Sequence, residues 1–249
     1  MTFQKRKKEI LQLLQRLGEA DIRLIAGHLN ISEVTVRRDL NLLAAENLLH
    51  RTHGGAMRVD PYVDSSTYQN KSDINKIAKD KICRKAAEEI QEGDVIFMDC
   101  GSTVFNLCQY IKHKKIKVIT NSLPVVIELQ NSAATINMIG GEVNQKNQAV
   151  HGKMAVAHIK KYHATKAFLG IDGITAEGLY ANSELEASNT QAMASQSEKT
   201  FLLCDSGKVG KKAYLRFAEV NLVHTLITNQ DGEEINQLKE KGVQVIIVN

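Results

Sequence analysis

The chain has 249 residues, 43% of them hydrophobic, and a formal net charge of +4. This length favours two domains of unequal size, and the composition is that of a globular protein with a sizeable core. No stretch approaches the roughly 18 consecutive apolar residues of a membrane helix, and no apolar segment follows the basic residues near the start. We therefore expect neither a membrane span nor a secretory signal.

The charge is unevenly distributed along the chain. Residues 1–60 carry ten Lys or Arg against seven Asp or Glu, whereas residues 61–249 carry 22 against 21. This excess suits a polyanionic partner, although a solvated basic surface explains it equally well. No metal-site spacing relates the cysteines, so we expect no metal, no cofactor and free thiols in a reducing cytoplasm at Cys83, Cys100, Cys108 and Cys204.

The first 57 residues are predicted to form three helices and a small wing. Apolar residues recur at helical spacing over residues 10–17, before the helix-stopping Gly18, and over residues 22–29. Ser32 is a favourable N-cap for a third helix over about residues 33–46. Residues 48–53 and the following glycine pair predict two short strands around a tight turn, or one strand ending in it.

A linker and an α/β domain are predicted to follow. Residues 58–74 contain Pro61 and the polar run of residues 64–73, which is typical of a linker. From residue 75 onward, short apolar runs alternate with helical patterns, which predicts a mainly parallel sheet covered by helices. Helices are expected near 75–91, 103–112, 123–130, 152–162, 184–197 and 232–241. Strands are expected near 95–98, 117–119, 136–139, 167–171, 200–203, 225–227 and 243–248.

A helix, a turn and a helix beginning at Ser32 suggest a helix-turn-helix over about residues 20–39. If Val36, Leu40 and Leu43 face the core, the opposite face can read bases in a major groove through Val34, Thr35, Arg37, Arg38 and Asn41. The DNA backbone could be contacted by Ser32, Arg51 and His53. Taken singly, either arginine could be an ordinary surface residue and Ser32 a simple cap. Asp39 is expected to form a local ion pair.

This segment resembles the DeoR family of bacterial transcriptional regulators. The resemblance is carried by residues 31–40, ISEVTVRRDL, and by residues 48–56, LLHRTHGGA. The first is similar to the family's "VSxxTIRRDL" helix and the second to its "RxHGGA" wing. Asn47 stands where the family often has Gly, and Asn also tolerates positive φ. The resemblance implies a winged helix-turn-helix that binds double-stranded DNA.

Polar residues follow five strands of the predicted sheet. Ligands of such sheets bind beyond the carboxyl ends of the strands, so these residues are expected to converge on one crevice. Hydroxyls and Lys208 suit a phosphate, whereas carboxylates suit sugar hydroxyls. The predicted effector-binding residues are Asp99, Gly101, Ser102, Thr103, Asn121, Ser122, Gly141, Asp172, Glu186 and Lys208. The alternatives are that the Ser and Thr residues only cap helices and that Lys208 is an ordinary surface lysine.

The DeoR resemblance extends over this second domain. It is carried by residues 99–103, 120–122, 140–141, 168–174, 186–187 and 203–208. It implies a sensor domain similar to ribose-5-phosphate isomerase that binds a phosphorylated sugar or sugar derivative. Three positions depart from the family: Ser102 replaces Thr, Gly207 replaces Ser, and Thr190 replaces a common Lys, which removes one possible anion contact.

Two kinds of function are compatible with these patterns. The first is a cytoplasmic repressor of a carbohydrate operon, acting as a homodimer or homotetramer on paired half-sites and modulated by a phosphorylated sugar or sugar alcohol. The second is a sugar-phosphate isomerase or hydrolase with a DNA-binding module, since Asp99, Glu186 and Lys208 can do acid–base chemistry. No nucleophile–base pair stands out, so the regulator is favoured; an activator is a third alternative.

Overall fold

The computed structural model describes residues 3–45, 48–52, 54–58 and 75–248. The chain divides into two compact units, Met1–Ser65 and Ser66–Asn249. Residues 59–74 of the predicted linker lie outside the described residues. Its first residue, Arg58, belongs to the last strand of the first unit. Within the described part of the chain, no helix is long and apolar enough to cross a membrane.

The first unit has the element order of a winged helix-turn-helix, as predicted. Its helices are α1 (Phe3–Leu17), α2 (Ile22–Leu29) and α3 (Glu33–Ala45), and its strands are β1 (Glu19–Asp21), β2 (Leu49–Arg51) and β3 (Gly55–Arg58). The strands form an antiparallel sheet in the order β1-β3-β2. Strand β1 was not predicted, because three residues are too few for a periodic pattern.

The helix ends of this unit are defined by local chemistry. Asp21 caps α2 by accepting a hydrogen bond from the N–H of Leu24 at 2.7 Å. Asn30 ends α2 in the left-handed conformation, with φ 50°, which Asn adopts more readily than most residues. These two ends set the turn between α2 and α3. The three helices and the strands enclose a core whose largest members are Ile10, Leu14, Ile25, Leu40, Leu43 and Leu49.

Gly55 is required where β3 pairs with β1, opposite Asp21. A Cβ atom at this position would lie 2.1 Å from the carbonyl oxygen of Ala20 and 2.6 Å from the Cα of Asp21. Both atoms belong to the backbone, so neither can turn aside. Gly54, in contrast, has open space where a Cβ would be. The second glycine of the wing therefore has a packing role that the first does not share.

A seven-stranded sheet forms the centre of the second unit. Its strands are β4 (Val95–Met98), β5 (Lys117–Thr120), β6 (Thr135–Met138), β9 (Ala164–Leu169), β12 (Ser197–Leu203), β14 (Thr225–Thr228) and β15 (Gln244–Ile247). Their order is β15-β14-β12-β9-β4-β5-β6, and every neighbouring pair is parallel. The predicted α/β class with a mainly parallel sheet is confirmed. The chain order reverses between β4 and β9, which makes this pair the switch point of the sheet.

Helices cover the central sheet, and apolar clusters lie among these elements. The helices of this unit are α4 (Lys76–Glu88), α5 (Ser102–Phe105), α6 (Cys108–Ile111), α7 (Leu123–Leu129), α8 (Lys153–Ile159), α9 (Glu184–Ser195) and α10 (Glu233–Glu240), with a 3₁₀ turn at Val220–Leu222. Phe168 and Phe201 stack at 5.1 Å between ring centroids on neighbouring strands. All four cysteines are free, as predicted, and three of them are buried.

Two details of the second unit differ from the prediction. The helix expected over 103–112 is divided into α5 and α6, because residues 106 and 107 donate to carbonyls three residues back and tighten the chain. Two small antiparallel sheets were also missed. One is the hairpin of β7 (Glu142–Asn144) and β8 (Ala149–His151), and the other contains β10 (Gly173–Thr175), β11 (Gly178–Ala181) and β13 (Leu215–Ala218).

Candidate functional sites

Helix α3 presents a polar and apolar mixture on its exposed face. Val36, Leu40 and Leu43 are fully buried, as the helical pattern predicts. On the opposite side Val34 is 75% exposed, and Arg37, Arg38 and Asn41 are exposed too, whereas Thr35 is half-buried. The predicted base-reading side chains therefore share one accessible face of the second helix of the motif.

The start of α3 is held by side-chain contacts. Ser32 accepts a hydrogen bond from the N–H of Thr35 at 3.3 Å, and the two hydroxyls are 2.9 Å apart. Ser32 therefore has the capping role that the sequence offers as the alternative to a DNA contact. Ser32 is also exposed. Glu33 lies 3.4 Å from Arg37 and 3.9 Å from Arg23, so Arg37 already has an exposed acidic neighbour.

Asp39 is a structural residue of the first unit. Its side chain is 2% exposed and accepts two hydrogen bonds from the guanidinium of Arg6, at 2.5 and 3.0 Å. The prediction of an ion pair is confirmed, but the partner comes from α1 and is not local. The hydrogen bond with Asp39 raises the pKa of Arg6. This two-fold contact joins α3 to α1 and fixes how α3 is presented.

The wing brings a further basic side chain toward α3. Arg51 ends β2 and is exposed. Burial and then the positive charge of Arg37 lower the pKa of Arg51, so the two guanidinium groups lie within electrostatic range. Two like charges within electrostatic range of each other suit a surface that meets a polyanion. His53, the other predicted wing contact, lies outside the described residues.

The predicted effector residues lie at the ends of adjacent strands. Asp172, Asp99, Asn121 and Gly141 follow β9, β4, β5 and β6, and Lys208 lies in the segment after β12. These five strands are consecutive neighbours in the sheet. At the switch point the loops after β4 and β9 approach closely, since a Cβ on Gly101 would lie 3.2 Å from the Cα of Gly170. A parallel sheet opens a crevice at such a point, and small ligands bind there.

Asp99 is buried at the end of β4, beside this switch point. Its carboxylate accepts hydrogen bonds from the N–H of Cys100 at 2.7 Å, the N–H of Gly170 at 3.3 Å and the hydroxyl of Thr190 at 3.3 Å. Burial raises the pKa of Asp99, against the effect of these backbone donors and of nearby His151. Thr190, where the family commonly has Lys, therefore contacts Asp99 with a neutral hydroxyl.

A buried lysine stands beside the hydroxyls that follow β4. Ser102 and Thr103 are buried at the start of α5, and the ammonium group of Lys79 donates to the Ser102 hydroxyl at 3.0 Å. Lys79 is only 3% exposed. It was missed from the sequence, although it lies on the apolar stripe of α4, three and four residues before Ile82 and Cys83. A cation and two hydroxyls can bind an anionic group.

The loop after β5 meets the hairpin of β7 and β8. Asn121 and Asn189 are fully buried and donate to the same carbonyl oxygen, that of Val150, at 3.1 and 2.8 Å. His151, next in the chain, is 5% exposed. Neither His151 nor Asn189 was predicted. Ser122 is fully buried and accepts from the N–H of Val125 at 3.4 Å, which fits its capping interpretation.

The remaining predicted residues also have defined partners. Lys208 lies 3.3 Å from the carboxylate of Asp172, so these two predicted residues are brought together. The Glu186 carboxylate accepts a hydrogen bond from the amide of Asn147 in the β7–β8 loop. Gly141 has φ 146°, and a Cβ there would lie 2.8 Å from Val150. Among the described residues, no group of His, Cys, Asp and Glu could hold a metal ion.

Family comparisons match both units. Residues 6–61 match the family described as the DeoR-like helix-turn-helix domain. Residues 74–230 match the DeoR C terminal sensor domain. The two matches together cover most of the chain and agree with its division into two units.

Individual proteins are similar over nearly the whole length. The lactose phosphotransferase system repressor of Staphylococcus aureus is 31% identical over 251 residues, covering 99% of this chain and 100% of the repressor. The HTH-type transcriptional regulator GlpR of Haloferax volcanii is 29% identical, covering 97% of this chain and 96% of that protein. Ribose 5-phosphate isomerase A of Methanocaldococcus jannaschii is 16% identical, covering 54% of each chain, with a TM-score of 0.39. So remote a likeness says nothing about activity.

Proposed function

Because the chain belongs to the DeoR family of transcriptional regulators, we propose that it represses a carbohydrate-utilisation operon and that a phosphorylated sugar or sugar alcohol modulates this repression. Its helix-turn-helix binds DNA, and its sensor domain takes a small-molecule effector. The relatives are named as a repressor and a transcriptional regulator, so the chain is a regulator and the enzyme alternative is set aside.

The exposed face of α3 is the observation that carries this proposal. Arg38 and Asn41 are exposed on it, and Val34 is 75% exposed on the same face. Arginine can pair with guanine, asparagine with adenine and a small apolar group with the thymine methyl. We propose these DNA contacts: Ser32, Val34, Thr35, Arg37, Arg38, Asn41, Arg51 and His53.

The effector is proposed to bind at the switch point of the sheet. Lys79 and Lys208 supply positive charge, and Asp99 and Asp172 supply acceptors, so a ligand with an anionic end and hydroxyl groups suits the crevice. To the buried Lys79 we add the residues inferred from the sequence: Asp99, Gly101, Ser102, Thr103, Asn121, Ser122, Gly141, Asp172, Glu186 and Lys208. We propose that Gly101, Gly141 and Ser122 act by setting the conformation of the backbone around the effector.

The molecule is proposed to work as a homodimer or homotetramer. One winged helix has a small footprint, and paired half-sites multiply its specificity. A DNA-binding regulator works where the chromosome is, so we propose a cytoplasmic location. We keep the divisions inferred from the sequence: a DNA-binding domain over residues 1–57, a linker over 58–74 and a sensor over 75–249.

Transcript levels in a strain that lacks the gene test the proposal. We expect a rise in transcripts that encode carbohydrate transport or breakdown, and we expect the purified protein to bind DNA upstream of those genes. A fall in the same transcripts would identify an activator instead. No change in any carbohydrate gene would contradict the proposal.

A further inference from the structure

Three buried polar atoms beside Asp99 lack hydrogen-bond partners among the described residues. They are Oδ1 of Asn121, Oδ1 of Asn189 and Nε2 of His151. Both amide nitrogens donate to the carbonyl of Val150, which precedes His151, so the three atoms belong to one cluster. Buried polar groups without partners destabilise a fold and are uncommon.

The surrounding contacts decide what each of these atoms can do. The Nδ2 atoms of Asn121 and Asn189 must face the Val150 oxygen, because a reversed amide would oppose two carbonyl oxygens. Nδ2 of Asn189 also lies 3.4 Å from Nδ1 of His151, which makes Nδ1 an acceptor and leaves the ring proton on Nε2. The cluster therefore offers two acceptors and one donor.

We propose that Asn121, His151 and Asn189 form a subsite for two neighbouring hydroxyl groups of the effector. One hydroxyl donates to Asn189 and accepts from Nε2 of His151, and its neighbour donates to Asn121. The subsite rests on the proposed function, since it specifies which part of the sugar phosphate lies against the β7–β8 hairpin. Neither His151 nor Asn189 stands out in the sequence as an effector contact.

The neighbouring charges favour hydroxyls over a phosphate at this end of the crevice. Asp99 lies close enough to affect the pKa of His151, and Asp99 and Glu186 both affect that of Cys100. Burial lowers the pKa of His151, so its imidazole is neutral at ordinary pH. Thr190, in place of the common Lys, adds no cation. An anion here would face the carboxylates of Asp99 and Glu186, whereas Lys79 and Ser102 offer a cation beside a hydroxyl.

Ligand-free stability gives the first test. In the full-length protein, His151→Leu with Asn189→Leu removes two of the unpartnered groups, and Val150 keeps its bond from Asn121. We expect the Tm without ligand to rise by about 2 °C or more. The matched control is His113→Leu with Asn236→Leu, a pair of exposed residues with Asn236 on helix α10, which should leave the Tm nearly unchanged. A lower Tm in the first variant would show that His151 and Asn189 serve the fold, and would overturn the proposal.

Ligand binding gives the second test. The probes are ribose 5-phosphate, glucose 6-phosphate, fructose 6-phosphate, glycerol 3-phosphate and inorganic phosphate, each titrated calorimetrically. The Leu variant should lose about 10- to 100-fold in affinity for the sugar phosphates that bind the wild type, and keep its affinity for inorganic phosphate. An equal loss for inorganic phosphate, or no loss at all, would overturn the subsite. If no sugar phosphate bound the wild type, the proposed effector class would fail, while the Tm comparison would still report on the cluster.

Discussion

Arg37 and Arg38 stand side by side on α3 but differ in their surroundings. Arg37 has Glu33 as an exposed ion-pair partner, while Arg38 is exposed on the face proposed to enter the groove. Replacing Arg38 with Ala should weaken binding to a preferred DNA sequence by roughly 10- to 100-fold, since a two-fold contact with guanine contributes about 1–3 kcal/mol. Fluorescence anisotropy with labelled duplexes measures this.

Stability and a distant arginine provide the controls for Arg38. The substitution removes an exposed side chain, so the free energy of unfolding should change by less than about 0.5 kcal/mol. Arg84→Ala removes an exposed arginine of the second unit and should leave DNA affinity unchanged. Equal losses in the two variants would indicate a general charge effect and would contradict base reading by Arg38.

Asp94 provides a pH test of the second unit. Its carboxylate lies 2.6 Å from the ammonium of Lys166 and accepts from the Thr165 hydroxyl at 3.1 Å. Burial alone would raise the pKa of Asp94, but the hydrogen bond from Lys166 and the other donors lower it overall. A lowered folded-state pKa means that the charged form stabilises the fold above the unfolded pKa of about 3.9 and loses this contribution below it.

Urea titrations of Asp94→Asn and the wild type across pH measure that contribution. We expect the variant to be less stable by about 1–2 kcal/mol from pH 7 to about pH 5, and the difference to shrink as the pH falls below about 4. A difference that stays constant down to about pH 3 would mean that the charge of Asp94 is not its cause. Asp231→Asn, an exposed carboxylate, serves as the control.

At the scale of the elements, the pairing of β3 with β1 leaves no space for a side chain at Gly55. Gly55→Ala would place a methyl group 2.1 Å from the Ala20 oxygen, so we expect the unit to lose several kcal/mol of stability and its DNA affinity. Gly54→Ala meets open space and should leave both nearly unchanged. Circular dichroism melts and anisotropy titrations compare the variants. Equal behaviour of the two would contradict the packing role of Gly55.

Periodic patterns predicted most elements but not the short ones. Strand β4 is a run of four apolar residues and helix α7 is mostly apolar, and both were placed to within one residue. The β7–β8 hairpin has strands of three residues and no Asn-Gly or Asp-Gly turn, so its sequence contains no pattern that predicts a hairpin. The burial of Asp39 could be inferred from the sequence, because this residue lies three positions after Val36 and therefore on the core face of the helix. Its partner could not be inferred, because Arg6 lies 33 residues away in the sequence.

The candidate effector site was predicted in part for a related reason. Residues that directly follow strands converge because parallel strands end at one edge, so Asp99, Asn121 and Asp172 could be identified. Lys79 comes from a helix that precedes the sheet, and His151 and Asn189 come from the hairpin and from α9. Only the packing of these elements brings such residues to the strand ends.

At the scale of the whole molecule, oligomerisation decides how DNA is read. If the chain is a dimer or tetramer, it should protect two half-sites related by two-fold symmetry and centred a whole number of helical turns apart, about 10 base pairs per turn. Analytical ultracentrifugation and footprinting on a selected DNA sequence measure this. A monomer that protects a single half-site with full affinity would contradict the proposed assembly.

The most direct test of the account is the effect of a phosphorylated sugar on DNA affinity. If DNA and the effector each prefer a different arrangement of the protein, linkage requires the effector to change the protein's affinity for DNA, by about 5- to 150-fold in typical cases. The measurement is the Kd for a selected duplex with and without each sugar phosphate that binds, for the wild type and Lys208→Met. We predict a change of at least about fivefold in the wild type and a much smaller one in the variant. An unchanged Kd at saturating sugar phosphate would contradict the account.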